Sequence, residues 1–395
     1  MKIFELKEED PYVIQEDELD EETATTIHVE HKKKISLEPN PWEHTYTLRS
    51  NGFIGHIPIN ENYALQIKPK VETKNIFHML EYAYKLKSFE LLEGSTHVKS
   101  INDFFERFVS ILSKRVLDRN RKGLYSGYLQ KEGSLPYLRG RVKILPTSIS
   151  MLKGSTRATC RYEEHTSDLI ENQILLWTLY QLRLFQIQRE EVKKVVRKAY
   201  RELIHKVNLN QINPRDCINR FYNRLNEDYK PLHGLCRFFL EHVGPAIERG
   251  NYVFLPFVIY MPSLFESFVA EWLQQNLPSG IDLMKKFNFS LDSKDRFSFE
   301  IDLVLRDEAT GRSLCVLDTK YKRSSEPEND DLNQINTYAI QMETKNAFLV
   351  YPSKDINPFD LKIGNVKIRS LVFDLSENPE KAGQDFLDEL IRYVN

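Results

Sequence analysis

The sequence has 395 residues, of which 41% are hydrophobic and 28% charged, and its net charge is -2. That length suffices for two or more domains with separate cores. The longest apolar runs, such as ILLWTLY, fall far short of the roughly 20 residues needed to span a bilayer, and the acidic start MKIFELKEED has no apolar signal core, so a cytoplasmic protein without membrane spans is expected.

Residues 1–22 carry ten acids against two lysines with little periodicity, which predicts a flexible or loosely attached acidic arm. From TIHVEHKKKISLE to NGFIGHIPINENYALQIKPKV, apolar alternation and turn signals at Pro39, Pro41 and Asn51-Gly52 predict short antiparallel strands. In a strand His28 and His31 would point to opposite faces, which argues against a shared metal. Helices follow in NIFHMLEYAYKLK and INDFFERFVSILSKRVLDRNRKG. The segment LYSGYLQKEGSLPYLRGRVKI reads as a hairpin with KEGS at a basic, glycine-broken tip, and residues 23–165 read together as one N-terminal β-rich and helical domain. A long amphipathic helix then starts in EEHTSDLIENQILLWTLYQLRLF, with Thr166 or Ser167 as its N-cap.

Residues 166–250 form a basic helical region. Lys and Arg outnumber acids ten to two over residues 107–143 and fourteen to eight over residues 183–250, patches that suit a phosphate backbone or an acidic protein face. Residues 251–395 form the last region, with a helix in MPSLFESFVAEWLQQNL, then strands, turns and a closing helix, DFLDELIRYV. Cys160, Cys217, Cys236 and Cys315 stand far apart with no CxxC, so neither a zinc site nor a disulfide framework is expected.

The chemistry concentrates in FSFEIDLVLRDEATGRSLCVLDTKYK. Side chains alternate along a strand, so Asp318, Lys320 and Lys322 share one face of CVLDTKYK, while Asp302 lies on the preceding strand. Paired strands would let Asp302 and Asp318 hold one Mg²⁺, a hard cation that takes oxygen ligands and keeps several waters. Such an ion polarises a phosphoryl oxygen, and a neighbouring lysine can orient water and offset developing charge. Glu266 sits on the apolar face of an upstream helix, a costly position for an acid without a metal or lysine partner. Gln334 and Tyr338 lie one turn apart on the helix DLNQINTYAIQM, able to reach the same site. This constellation resembles the PD-(D/E)xK nuclease fold, with Ile301 where the motif usually has proline.

The chain as a whole resembles McrC, the nuclease subunit of McrBC-type 5-methylcytosine restriction systems. The landmarks run in order from GFIGHIPINENYALQIKPKVETKNIFHMLEYAY through LPYLRGRVKI, EEHTSDLIENQILLWTL and LFESFVAEWL to EIDLVL, LDTKYK and NQINTYA, over roughly residues 50–345. The resemblance implies an α+β or α/β multidomain prokaryotic protein: a β-rich N-terminal module with a projecting hairpin, a helical middle, and a C-terminal restriction-endonuclease-like mixed sheet flanked by helices. It implies Mg²⁺-dependent cleavage of modified double-stranded DNA, with Asp302, Asp318, Lys320, Glu266, Gln334 and Tyr338 as site residues and Lys322 as a DNA contact. It also implies an McrB-like AAA+ GTPase hexamer as partner. In keeping with that division, the chain lacks a GxxxxGK[ST] phosphate loop. Arg139, Arg141 and Lys143 are the expected contacts to the motor. Two alternatives stand beside this reading: a catalytically silent regulatory subunit of the motor, and a standalone DNA-binding protein.

Overall fold

The computed structural model describes residues 2–60, 62–86, 101–185, 187–242, 257–290, 298–322 and 325–394. The protein is a mixed α+β chain that divides into two compact units. The first consists of Met1–Ile101, Gly250–Tyr252 and Pro256–Asn395, and the second of Asn102–Arg249 and Val253–Leu255. The division expected at residue 165 is therefore replaced by one near residue 101, and the boundary expected at residues 250–251 lies outside the described residues.

In chain order the first unit begins with β1 (Lys2–Lys7), β2 (Tyr12–Gln15), α1 (Glu21–Glu30), β3 (Ile35–Asn40), β4 (Thr45–Ser50), β5 (Phe53–Pro58), β6 (Tyr63–Lys68) and α2 (Thr73–Ala83). The second unit holds α3 (Ile101–Lys122), β7 (Gly127–Leu135), β8 (Arg141–Val142), α4 (Ile144–Leu152), β9 (Ala158–Thr166), α5 (Ile170–Leu184), α6 (Glu190–Ile204) and α7 (Tyr229–His242). The chain returns to the first unit with β10 (Phe257–Tyr260), α8 (Met261–Asn276), β11 (Ile281–Ser290), β12 (Ser298–Asp307) and β13 (Ser313–Thr319). It ends with α9 (Asn329–Gln341), β14 (Asn346–Tyr351), β15 (Asp360–Ile363), β16 (Val366–Val372) and α10 (Pro379–Val394).

The first unit is closed by pairings distant in sequence. Its four-stranded sheet runs β1-β6-β5-β10, so the chain's return at β10 extends an N-terminal sheet. Strand β1 pairs in parallel with β6, and Phe4, Leu6, Ile14 and Leu19 enter the core. The acidic segment is thus anchored rather than loose: its acids face outward while Phe4 and Leu6 of β1 bury. Glu8 is the exception, buried against the Lys70 backbone N–H at 3.2 Å and the Tyr321 hydroxyl at 3.4 Å. Burial pushes its carboxyl up to about 7, against the pull of Lys70.

Helix α1 stands where a strand was expected. The Asp20 side chain accepts a hydrogen bond from Thr23 N at 2.7 Å and caps it, and Ile27 buries fully, so capping and burial override a β-branched run. His28 accordingly lies on a helix, with His31 as its C-cap residue.

The six-stranded sheet has the order β11-β12-β13-β14-β16-β15, with β13, β14 and β16 parallel and the flanking pairs antiparallel. Ile335, Tyr338 and Ala339 of α9 pack on Val316, Ala347 and Leu349 in one core. Phe268 and Trp272 of α8 meet Phe373, which also meets Phe386 of α10. Gly383 permits this approach, since a Cβ there would collide with the Trp272 ring.

In the second unit β7 runs unbroken through KEGS and pairs with β9 from Gly127 opposite Thr166 to Leu135 opposite Ala158. Gly133 has ordinary space opposite Cys160, so it does not break the ladder, and the expected tip at KEGS is mid-strand. The chain turns back later, at Gly140, whose φ of +63° places it where a Cβ would strike the Arg161 carbonyl. Thr166 is the last residue of β9 and Leu169 caps α5 without a side-chain bond, so neither Thr166 nor Ser167 serves as its N-cap. Cys160, Cys217, Cys236 and Cys315 are buried, unbonded thiols. No helix among the described residues is long and apolar enough to cross a membrane.

Candidate active site

The site is built on three neighbouring strands. Leu303 pairs with Leu317 across β12 and β13, so one position further the antiparallel register sets Asp302 opposite Asp318. Across β11 and β12, Lys285 pairs with Leu303 and Phe287 with Ile301, which sets Lys286 opposite Asp302. A lysine and two aspartates therefore share one rung, at the end of the buried run Cys315–Leu317.

Asp318 is buried, with Lys320 Nζ 2.6 Å from its Oδ2. The pair is close but poorly aligned, so Asp318 Oδ2 has charge compensation without a well-directed hydrogen bond. Burial pushes the Asp318 carboxyl up to about 7; the Asp302 charge adds to that rise and Lys320 opposes it. Asp302 Oδ2 accepts from the Thr319 backbone N–H at 2.9 Å and the Thr319 hydroxyl at 3.0 Å, which fixes its orientation.

Helix α9 supplies the second layer. Lys320 Nζ lies 3.2 Å from Asp331 Oδ1 and donates to Gln334 Oε1 at 3.0 Å, and Gln334 Nε2 donates to the buried Tyr338 hydroxyl at 2.7 Å. Gln334 and Tyr338 thus reach the site together as a relay that holds the lysine. Burial acts against the Lys320 ammonium, but Asp318 and Asp331 outweigh it and raise its pKa. Lys320 therefore stands here as a charged group rather than a base. Lys322, expected to meet DNA, is held between Asp331 at 2.5 Å and Glu328 at 2.9 Å.

Glu266 of α8 pairs with Lys286 at 3.2 Å, one of the two kinds of partner that the sequence left open. Its carboxyl is raised by burial and by Asp302, against the pull of Lys286. Lys286 has φ +49°, a left-handed backbone that costs a non-glycine residue about 1–2 kcal/mol. In a regular strand Lys285 and Lys286 would point to opposite faces. The left-handed turn instead lets both reach α8, Lys285 to Glu271 at 2.9 Å and Lys286 to Glu266. Strain of this kind accumulates at functional sites.

Among the described residues no three acid, histidine or cysteine side chains close into a metal cage. Of the three acids expected as ligands, Glu266 pairs with Lys286 and Asp318 with Lys320. The aspartate pair fits an ion held by one or two carboxylates and completed by water, as Mg²⁺ commonly is, and the buried Asp318 Oδ2 is without a hydrogen bond that such an ion would have to replace.

Thr319, Asp331 and Lys286 were missed from sequence. Asp331 could have been found from its place in the first turn of α9, three residues before Gln334. Lys286 carries no sequence signal, because its backbone breaks the alternation on which a strand is read.

The motor contacts expected at the hairpin are partly spent inside it. Arg139 lies over the Tyr162 ring at 4.5 Å and donates to Glu163 O at 3.1 Å, and Lys143 pairs with Glu132 at 2.5 Å. Arg141 is exposed on β8. The chain around it carries exposed apolar side chains, among them Leu138 before β8 and Ile144, Leu145 and Leu152 on α4.

A family model described as McrBC 5-methylcytosine restriction system component matches residues 48–352. The chain belongs to that family. It is similar to the type IV methyl-directed restriction enzyme EcoKMcrBC of Escherichia coli (strain K12), with 22% identity over 333 residues that make up 76% of this chain and 94% of the relative. Its fold is similar to that of a chain in the refined half-complex of Thermococcus gammatolerans McrB AAA+ hexamers with bound McrC. That match has 17% identity and a TM-score of 0.60, and covers 99% of this chain and 100% of the other. A chain of the cryo-EM structure of the Thermococcus gammatolerans McrBC complex matches with 18% identity and a TM-score of 0.45, over 70% and 89% of the two chains. The resemblance to McrC thus holds at the level of family, and the quoted landmarks fall within the matched span.

Proposed function

We propose that this member of the McrBC family is the DNA-cutting subunit of a modification-dependent restriction complex, with a PD-(D/E)xK-type site in its six-stranded sheet. The observation that carries the reading is the opposition of Asp302 and Asp318 on paired strands, with Lys320 2.6 Å from Asp318. Asp302 and Asp318 would hold Mg²⁺. When bound, that ion supplies a Lewis acid that polarises the phosphoryl oxygen and activates water.

The chain's own residues perform the rest. Thr319 fixes Asp302, so the two carboxylates present a preset pair of oxygen donors. The Lys320 ammonium, steadied by Gln334 and Tyr338, sits where it offsets the negative charge that grows on the phosphate during attack. Glu266 and Lys286 border the rung, and the lysine adds a second cation beside the aspartates that can offset charge on the phosphate.

Like the McrB hexamers with bound McrC in the solved complex, the partner of this chain is proposed to be an AAA+ motor. The exposed apolar face of α4 beside Arg141 suits that contact, since a surface of this kind is seldom left to solvent on a free monomer. The test is to incubate the chain with such a motor, its nucleotide and methylated plasmid, with Mg²⁺ or with EDTA. Cleavage that requires Mg²⁺ and the motor supports the proposal. No cleavage under any combination, with motor hydrolysis still stimulated, supports a regulatory subunit instead.

A further inference from the structure

The second unit contains a cavity of about 400 Å³ lined by Arg183, Lys194, Arg197, Tyr200 and Arg201. Four of these five residues are cations and none is an acid. They come from two helices, Arg183 from the end of α5 and the other three from one face of α6, at the i, i+3 and i+7 spacing that aligns side chains along a helix.

Several cations of this unit are held in local ion pairs. Arg119 pairs with Asp228, Lys131 with Glu164, Arg220 with Glu171 and Arg237 with Glu241. Among the described residues, none of the four cavity cations has a carboxylate within ion-pair distance. On the same helix Glu190 pairs with Lys193 at 3.0 Å, and Glu202, next to Arg201, accepts from Asn120 at 2.7 Å. Arg183 is pre-positioned, its guanidinium lying 4.3 Å over the Tyr200 ring and 5.5 Å from the Tyr180 ring. Trp177 stacks on Tyr180 with centroids 5.5 Å apart, which extends the aromatic floor along α5.

Uncompensated like charges held together repel one another, and a polyanion removes that repulsion. We infer that this cavity is a binding site for the phosphodiester backbone of a nucleic acid, separate from the carboxylate site. A nucleic acid fits better than a single nucleotide because Lys194 to Arg201 spans about 10 Å of helix, roughly three phosphates at the 3.4 Å rise of one strand. Cations beside an aromatic floor are also the chemistry by which single strands are held. The inference does not depend on the nuclease reading.

The test measures binding of labelled single-stranded and duplex oligonucleotides to the full chain by fluorescence anisotropy, in EDTA so that cleavage plays no part. The Lys194→Gln, Arg197→Gln, Arg201→Gln triple variant is compared with wild type and with a control that loses Lys32, Lys33 and Arg49, three exposed cations of the first unit. All these positions are exposed, and circular dichroism verifies the fold. The cavity variant is expected to bind at least about tenfold more weakly, with the slope of log K against log salt shallower by about two on single strands. The control is expected to change little. Equal losses in both variants would reduce the effect to net charge and overturn the inference. So would undiminished DNA binding by the cavity variant, or displacement of the oligonucleotide by an equal concentration of nucleoside triphosphate. Loss only of binding to an acidic face of the motor would reassign the cavity to a protein partner.

Discussion

Asp318 combines burial with a second carboxylate opposite it on the rung, and both push its pKa up to about 7 against the pull of Lys320. A divalent ion entering below that pH must displace this proton. The apparent Mg²⁺ affinity of the chain is therefore predicted to rise about tenfold per pH unit up to about pH 7 and then level off, as read by isothermal titration. The Asp318→Asn variant removes that dependence, and a flat profile in the wild type would contradict the assignment. The same raised value has a sign for folding. A buried acid that keeps its proton better when folded stabilises the protein at low pH, and that contribution is lost as pH rises toward about 7. Lys286 permits a separation of stability from function. Lys286→Gly relieves the left-handed strain while giving up a partly exposed ion pair worth at most about 1 kcal/mol. Its melting temperature is predicted to stay near that of wild type while cleavage falls roughly tenfold to a hundredfold. Full cleavage by this variant would show that the lysine only fills space.

At the level of elements, the N-terminal acidic segment carries the clearest consequence. Phe4, Leu6, Ile14 and Leu19 are buried, and a large apolar side chain contributes about 1.5–3 kcal/mol when fully buried. Deletion of residues 1–22 is therefore predicted to lower stability by several kcal/mol in urea unfolding, rather than to release a dispensable arm. The sequence misled here because a parallel strand pairs with a distant partner, and the β1 to β6 pairing leaves no local signal beyond the alternation of Phe4 and Leu6. What could be read was local. The run into Asp318 and the helical spacing of Gln334 and Tyr338 follow from periodicities of two and 3.6, and the structure brings those residues together. What could not be read was set by tertiary context. The β-branched stretch of α1 resembles a strand until Ile27 finds its core, and KEGS resembles a turn until β9 lies beside it. Arg139 and Lys143 looked free because cross-strand partners cannot be assigned without a register.

Across the whole molecule, chemistry and contact fall to different units. The first unit holds the carboxylate rung, and the second holds the basic cavity and the exposed apolar hairpin. This division predicts that cutting and motor stimulation can be lost separately. A charge in the apolar face of α4, such as Leu145→Asp, is exposed and tolerable for folding, and it is predicted to weaken both motor stimulation and cleavage. A change at the rung should affect cleavage alone. The most direct measurement is therefore the Asp318→Ala variant, assayed beside wild type for plasmid cleavage and for stimulation of the motor's nucleotide hydrolysis in the same Mg²⁺-containing reaction. The account predicts no cleavage with hydrolysis stimulated as by wild type. Cleavage that persists in Asp318→Ala would place the cutting chemistry elsewhere and contradict the assignment.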